Sequence, residues 1–299
     1  MKHSEHFLTR RDFIKSTGST AVGVAIGLPL IAGEITKQPT KARVVLVRHK
    51  EVVTADGKIN GEIIGRMLDQ AVSALLDVSE PAAGWKKIVH PEDVVGIKSN
   101  EWGHLSTPTV LEQALKDRII AAGVNKNNVS IDDHGVLNNP VFAKATALIN
   151  TRPLRTHAWS GVGSLIKNYI MFSPDPPKYH PDSCASLGAL WELPAVKGKT
   201  RLNVLVMLTP LFHGSGWHHF DPTYVWPYGG ILVGTDPVAV DTIGLSILGA
   251  KRRAFFDSDR PLSPPAHHIV LADRKYHLGT SDPSRIELIK LGWKDGILI

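Results

Sequence analysis

Residues 43–47 (Arg-Val-Val-Leu-Val) form a β-branched run of strand length, and residues 61–76 follow with apolar side chains at helical spacing. Residues 94–97 (Val-Val-Gly-Ile) predict a second strand, and a helix over 107–122 opens with a threonine cap and a proline. Residues 129–131 (Val-Ser-Ile) predict a third strand. This alternation predicts an α/β fold, with a mostly parallel sheet that helices cover on both faces.

The later sequence continues this pattern and then changes character. Residues 202–208 (Leu-Asn-Val-Leu-Val-Met-Leu) and 230–233 predict buried strands, and residues 237–248 predict a helix. From Lys251 onward, proline-rich loops alternate with short apolar segments. We therefore predict an α/β core domain over residues 43–250 and a small C-terminal extension over residues 251–299 that wraps around the core and packs on it.

The N-terminal sequence has the layout of a targeting signal. Residues 9–15 (Thr-Arg-Arg-Asp-Phe-Ile-Lys) precede an uncharged stretch over residues 16–33, and such a paired arginine is typical of a twin-arginine export signal. The stretch contains several glycines and a proline, so it is weakly hydrophobic for a membrane-spanning helix. We predict a signal segment over residues 1–33, a linker over 34–42, and a periplasmic or otherwise exported protein that engages the twin-arginine export machinery. Cleavage of the signal and its retention as a membrane anchor are both open.

The composition of the chain excludes several classes of partner and cofactor. The net charge of +6 is modest, and the chain has no basic run interleaved with aromatic residues, so we expect no nucleic-acid partner. Cys184 is the only cysteine, which excludes an intramolecular disulfide and a cysteine-ligated iron–sulfur cluster. Residues 161–164 (Gly-Val-Gly-Ser) lack the third glycine of a dinucleotide fingerprint, so we expect no nucleotide cofactor.

Polar side chains follow four of the predicted strands. In open α/β sheets, ligands bind beyond the carboxyl ends of the strands, so these side chains predict one polar cleft. In chain order, the residues that follow the four strands are Lys98, Asn100, Glu101 and His104, then Asp132, Asp133 and His134, then His213, His218, His219 and Asp221, and finally Asp236 and Asp241.

Histidines and carboxylates in these positions also suit a divalent metal. Residues 213–219 (His-Gly-Ser-Gly-Trp-His-His) contain three imidazoles, and neutral imidazole is the commonest ligand of transition metals. The candidate metal ligands are Asp133, His134, His213 and His218. The spacing differs from that of helical zinc sites, so hydrogen-bonded loop histidines are the alternative. His267, His268 and His277 lie outside any strand end and are interpreted as structural or surface residues.

Three further features predict local polar contacts. Asp236 precedes Pro237, which indicates a helix N-cap, a role compatible with contact to a ligand. Asp241 lies in an apolar helical segment, where a buried carboxylate needs a donor network, a partner or a cation. The glycine-rich turn at 161–164 precedes an apolar helix, so we expect its free backbone amides to face an anion beside Arg155 and Lys167.

Several motifs resemble those of the domain of unknown function 362 family. They are Ile97-Lys98-Ser99-Asn100, Arg155-Thr156-His157, Leu165-Ile166-Lys167-Asn168, Tyr179-His180 and the distinctive Asp236-Pro237-Val238-Ala239-Val240-Asp241. The family has no agreed activity. Arg155 stands where relatives usually carry lysine, and Ser99 where they commonly carry proline. The resemblance implies site roles for Lys98, Asn100, His157, Lys167, Asn168, His180, Asp236 and Asp241.

These observations converge on a cleft that binds an anionic small molecule, with or without a divalent metal. The candidate substrate-binding residues are Lys98, Asn100, Arg155, Asn168, Asp236 and Asp241, and the candidate catalytic residues are His157, Lys167 and His180. An enzyme with this site would perform metal-assisted hydrolysis or proton transfer. The alternatives are a non-catalytic metal- or ligand-binding protein, an accessory protein for another exported enzyme, or a structural ion-pair network of Lys98, Lys167 and Asp241.

Overall fold

Within residues 41–214 and 219–299, which the computed structural model describes, eight strands form one mixed sheet. The strands are β1 (Ala42–Arg48), β2 (Val95–Lys98), β3 (Val129–Asp132), β4 (Ala147–His157), β5 (Gly161–Gly163), β6 (Thr200–Leu211), β7 (Gly230–Gly234) and β8 (Ile286–Gly292). Their spatial order is β3-β2-β4-β6-β7-β1-β8, and β5 pairs with β4. Only β5 and β7 pair antiparallel with their neighbours among these strands, so the predicted mostly parallel sheet is confirmed.

Helices connect the strands and cover the sheet. The α-helices are α1 (Gly61–Leu76), α2 (Pro81–Ile88), α3 (Thr109–Ala121), α4 (Pro140–Ala143), α5 (Leu165–Asn168), α6 (Pro181–Cys184), α7 (Pro237–Phe256) and α8 (His267–Arg274). Short 3-10 helices lie at Lys126–Asn128, Tyr169–Phe172, Pro176–Tyr179, Leu187–Glu192, Pro222–Tyr224 and Pro283–Arg285.

Local sequence signals explain where the long helices begin and end. The side chain of Asn60 accepts hydrogen bonds from the amides of Glu62 and Ile63 and so caps α1, whose predicted bounds are confirmed. Helix α3 begins at Thr109, because Pro108 has an extended backbone. Helix α7 continues past residue 248 until Asp257, whose left-handed backbone ends it.

The two faces of the sheet carry separate apolar cores. Val45 and Ile97 point to the face that α1, α2 and α3 cover, and Leu46 and Leu148 point to the face that α5, α7 and α8 cover. This alternation follows from the two-residue period of a strand. The prediction of helices on both faces is therefore confirmed.

The C-terminal residues take part in the same sheet. Strand β8 is an edge strand parallel to β1, with Ile289 opposite Val45, and α8 packs against α7 and α5. Residues 40–299 form one compact unit. The region that the sequence predicts as a wrapping extension thus supplies an edge strand and a covering helix.

Several predictions concern residues outside the described part of the chain. The predicted signal segment over residues 1–33, nearly all of the linker over 34–42, and the candidate metal ligand His218 lie there. No helix among the described residues is both long and apolar enough to cross a membrane.

Candidate functional site

Polar side chains form a buried layer between the sheet and helix α5. Asn150 on β4 donates to Asn203 Oδ1 on β6 at 3.1 Å and to the carbonyl of Leu165 at 3.1 Å. Asn168 on α5 donates to Asn150 Oδ1 at 2.8 Å and to the carbonyl of Lys98 at 3.2 Å. These amides tie α5 to the central strands. Through Lys98, this layer of amides adjoins the buried charged residues at the ends of the strands.

Lys98 and Asp133 form a fully buried ion pair at the ends of β2 and β3. Lys98 Nζ donates to Asp133 Oδ1 and, at 2.7 Å, to the carbonyl of Ser99. Asp133 Oδ2 accepts from the amide of Glu101 at 2.7 Å. Burial raises the pKa of Asp133, but the charge of Lys98 and the hydrogen bond from Glu101 outweigh it, so this pKa lies below its usual value.

Arg155 lies at the end of β4 and is engaged by a neutral acceptor and an aromatic ring. Its Nη1 donates to Asn100 Oδ1 at 2.7 Å, and its guanidinium lies 4.6 Å from the ring centroid of Trp102. The structure therefore brings the candidates Lys98, Asn100, Arg155 and Asn168 together.

Arg152 is a second buried arginine on β4 that the sequence analysis did not select. It is 3% exposed, and its Nε has no hydrogen-bond partner among the described residues. Residues three apart point to opposite faces of a regular strand, but the pairing of β4 with β6 shifts in register between Pro153 and Arg155. The sequence did contain a signal for its burial. Arg152 lies two residues from Asn150 and two from Leu154, so all three share one buried face of the strand.

Lys167 projects from α5 into the same region. It is 3% exposed, and its Nζ lies 3.9 Å from the Sγ of Cys184. Burial, together with the nearby charges of Arg152 and Arg155, lowers the pKa of Lys167 to about 8, while Cys184 opposes the change. Lys167 thus titrates close to physiological pH.

The candidate catalytic histidines, His157 and His180, both contact the ring of Trp159. The ring of Trp159 lies 5.8 Å from that of His157 and 4.1 Å from that of His180. Burial lowers the pKa of His157 far below its usual value, and the charges of Lys167, Arg152 and Arg155 add to this effect. Burial and Lys167 also lower the pKa of His180. Both imidazoles are therefore neutral at pH 7.

Asp241 caps the short helix α5. Its carboxylate accepts hydrogen bonds from Ser164 Oγ at 2.7 Å and from the amides of Leu165 and Ile166 at 3.0 and 2.9 Å. The predicted donor network around Asp241 is confirmed. The amides of Leu165 and Ile166, which follow the glycine-rich turn, therefore donate to this internal carboxylate. Burial, although these bonds oppose it, raises the pKa of Asp241 to about 6.

Asp236 lies at the opposite end of the strands from Lys98 and Asp133. Strand β7 is antiparallel to β6, and its last residue, Gly234, pairs with Asn203 near the start of β6. Asp236 caps α7 by accepting from the amides of Val238 and Ala239, and it also accepts from Thr280 N at 2.9 Å. The expectation that Asp236 shares a cleft with Lys98 is corrected, since hydrophobic patterning does not give strand direction.

The candidate metal ligands fall in two places. His134 Nε2 lies 3.3 Å from Asp133 Oδ2, whose carboxylate is already bonded to Lys98 and Glu101. His213 lies elsewhere, 3.3 Å from Arg252 Nη1. Within residues 41–214 and 219–299, no group of three or more histidine, cysteine or carboxylate side chains could hold a metal ion. The metal therefore stays a prediction.

A cavity of about 710 Å³ opens beside this polar layer. Its inner wall includes Thr156 and His157 of β4. Aromatic side chains and two arginines line the rest, among them His213, Phe220, Tyr224, Arg252 and Arg260. Arg252 donates to the carbonyls of Phe212 and Arg260 at 2.8 and 2.7 Å, so it links two segments of the cavity wall. His157 thus lines the open cavity and also senses the charges of Lys167, Arg152 and Arg155.

A family model matches part of the chain. Residues 108–246 match the model of the family described as Domain of unknown function (DUF362), which supports the resemblance found in the motifs. The matched region contains Asp133, Arg152, Arg155, Lys167 and Asp241, whereas Lys98 precedes it. No curated protein and no solved structure matched the chain. The family description names no activity, so the function must be argued from the site.

Proposed function

We propose that the protein binds a small anion in the polar layer between β4 and α5. Arg152, Arg155 and Lys167 are each at most 4% exposed, and none of them forms an ion pair with a carboxylate in the described part of the chain. An isolated buried charge is costly. A bound anion would offset this cost, and this excess of buried positive charge is the observation that carries the proposal.

The two buried carboxylates attract Arg152 but have closer partners of their own. Asp133 is paired with Lys98, and Asp241 accepts three hydrogen bonds from Ser164 and the start of α5. The guanidinium of Arg152 and the ammonium of Lys167 therefore remain available to carboxylate or phosphate oxygens. Asn100 would hold the guanidinium of Arg155 in the orientation needed for a third contact.

The cavity supports a ligand with an organic part. Its volume of about 710 Å³ lies in the range of small-molecule sites. The anionic group would enter past His157, and the rest of the ligand would lie against the aromatic rings of Phe220 and Tyr224. The positive potential of the buried cations would raise the local concentration of anions at the inner wall.

Ligand-induced thermal shift and titration calorimetry test this proposal. We would use phosphate, sulfate, malate and succinate with the wild-type protein and the Lys167→Met variant. We expect at least one anion to raise the Tm of the wild type in a concentration-dependent way, and the variant to respond less. Lys197→Met is the matched control, because Lys197 is exposed and pairs with Glu192 on the surface. The absence of binding to every anion would reject the proposed site.

Proton transfer on the bound anion is a second candidate function. The observation that favours it is the placement of two neutral imidazoles, His157 and His180, beside an amine whose pKa is about 8. In an enzyme, His157→Ala or Lys167→Ala would abolish turnover while the Tm changed little. A binding protein would show the ligand-dependent rise in Tm and no turnover of the bound anion.

Metal binding and export are separate proposals from the same sequence. Asp133 with His134, and His213 with His218, remain the candidate ligands, and metal-assisted hydrolysis would follow if they held a metal. Elemental analysis of protein purified from the periplasm without chelators or a histidine tag tests this idea. Recovery of the protein in the periplasm, and its loss when Arg10 and Arg11 become lysine, would test twin-arginine export.

A further inference from the structure

His268 is a buried histidine whose two ring nitrogens lack partners. The side chain lies on α8 and is 0% exposed, and neither Nδ1 nor Nε2 has a hydrogen-bond partner among the described residues. Buried polar atoms in folded proteins are nearly always hydrogen-bonded. The exposed neighbour His267 has no such demand. The described residues therefore leave both ring nitrogens of His268 available to a hydrogen-bonding partner.

His268 lies on the helix that packs beside the cationic region used by the proposed function. Helix α8 packs against α5, which carries Lys167. Burial lowers the pKa of His268 to about 3, and the charges of Lys167 and Arg152 contribute to this shift. Arg152 Nε is also without a partner, so two unsatisfied polar groups occur in the same charged environment.

A neutral imidazole makes two different demands on its surroundings. One ring nitrogen carries a hydrogen and needs an acceptor, while the other has a lone pair and needs a donor. A fully deprotonated anion such as sulfate supplies acceptors only. If Lys167 and Arg152 donate to the charged oxygens of a ligand, the bare nitrogen of His268 needs another donor, and a hydroxyl group on the ligand would supply it.

We propose that the ligand is an anion that carries a hydroxyl donor next to its charge, either a protonated phosphate or a hydroxycarboxylate, and that His268 is the residue that selects for this hydroxyl. The inference rests on the anion site proposed above. Both ligand sources share one chemistry, a charged oxygen beside an O–H group. His268 would be a binding residue on the C-terminal segment, so this segment would complete the site.

Two matched pairs of anions test the proposal by titration calorimetry near pH 7. Phosphate keeps a hydroxyl at this pH and sulfate does not, while malate has a hydroxyl that succinate lacks. We expect one pair to be discriminated about tenfold or more, since the poorer ligand leaves a buried acceptor without a donor. The discriminated pair identifies the source, phosphoryl or hydroxycarboxylate.

Substitutions of His268 assign the discrimination to this residue. His268→Phe removes both ring nitrogens. Both anions of a pair should then bind with about equal affinity, because the hydroxyl group no longer has an imidazole nitrogen to donate to. His268→Gln retains a donor and an acceptor and is expected to keep part of the preference. His267→Gln is the matched control and should keep the wild-type ratio. If His268→Phe does not fold, His268→Gln is compared with the control. A smaller preference in His268→Gln than in His267→Gln supports the proposal, and an equal preference overturns it.

The outcomes separate this proposal from the one on which it rests. Equal binding of both members of each pair by the wild type would overturn the selection by His268 and leave the anion site in place. An unchanged preference in a folded His268→Phe protein would also overturn it. Failure of every anion to bind would reject the site and the selection together.

Discussion

The Nη2 atom of Arg152 lies 2.9 Å from the position that a Cβ atom on Gly163 would occupy. The Cγ atom of Arg155 lies 3.5 Å from the same position. The glycine therefore leaves room for two arginines where β4 turns into β5. Two cations that are three residues apart on one strand reach the same region because the hairpin partner has no side chain there.

Gly163→Ala is expected to weaken anion binding more than it weakens the fold. The new methyl group would displace the flexible end of Arg152, so we expect the affinity for the best anion to fall about tenfold, as for loss of one charged hydrogen bond. Calorimetric titration measures the affinity, and a thermal melt measures the fold. Gly249→Ala is the control, because its Cβ would meet only Arg253 Nη1 at 3.6 Å. Equal affinities in both variants would contradict the prediction.

Arg152→Met is expected to abolish most of the anion response without destabilising the ligand-free protein. An isolated buried charge is costly, so its replacement by an apolar side chain of similar length should leave the free energy of unfolding unchanged or raise it. Arg118→Met provides the contrast, because Arg118 donates to Asp69 at 2.7 and 2.8 Å and its removal should lower stability. Urea unfolding without ligand measures both. A loss of stability in Arg152→Met as large as that in Arg118→Met would indicate a structural role instead.

Asp241→Ala is expected to destabilise the protein strongly. The change leaves Ser164 Oγ and the amides of Leu165 and Ile166 without their acceptor, and each unsatisfied buried group costs about 1–3 kcal/mol. Asp241→Asn keeps one acceptor oxygen and should lose about half as much by the same principle. Denaturant unfolding provides the comparison. Nearly wild-type stability of Asp241→Ala would show that α5 does not depend on this cap.

The pH dependence of stability should show the titration of Lys167. Its pKa is about 8 in the folded protein and 10.5 in a model peptide. Between these values the unfolded chain binds a proton that the folded chain does not, so this group makes the free energy of unfolding rise with pH from about 8 to 10.5. Below pH 8 both states bind this proton, so the free energy of unfolding no longer depends on this group, and the cost of burying the charged amine is present in full.

The difference between the wild type and Lys167→Met isolates this contribution, since Lys98 has a similarly lowered pKa of about 8 and remains in both proteins. The free energy of unfolding, measured from pH 7 to 11, should therefore rise more steeply with pH for the wild type. Anion affinity should fall over the same range, because the neutral amine no longer attracts the ligand. Parallel stability curves for the two proteins would argue against a buried, titrating Lys167.

Secondary structure and the chemistry at most strand ends were predictable because both depend on neighbouring residues in the chain. The strand at 43–47 and the helix at 61–76 follow from periodicity, and β1 and α1 occupy nearly these bounds. Lys98 and Asp133 follow strands that turned out to be parallel neighbours, so they meet. Asp236 follows a strand of opposite direction, and its place could not be inferred from local pattern.

The positions of Arg152 and His268 depend on contacts between distant segments. Local alternation along β4 places its two arginines on opposite faces, and only the register shift against β6, together with the space at Gly163, brings them to one region. His268 is far along the chain from every strand end and reaches the site because α8 packs on α5. Short-range order therefore sufficed for the fold class and for many of the polar site residues, whereas strand direction, register and the packing of the C-terminal helix are long-range properties and emerge only when the chain is folded.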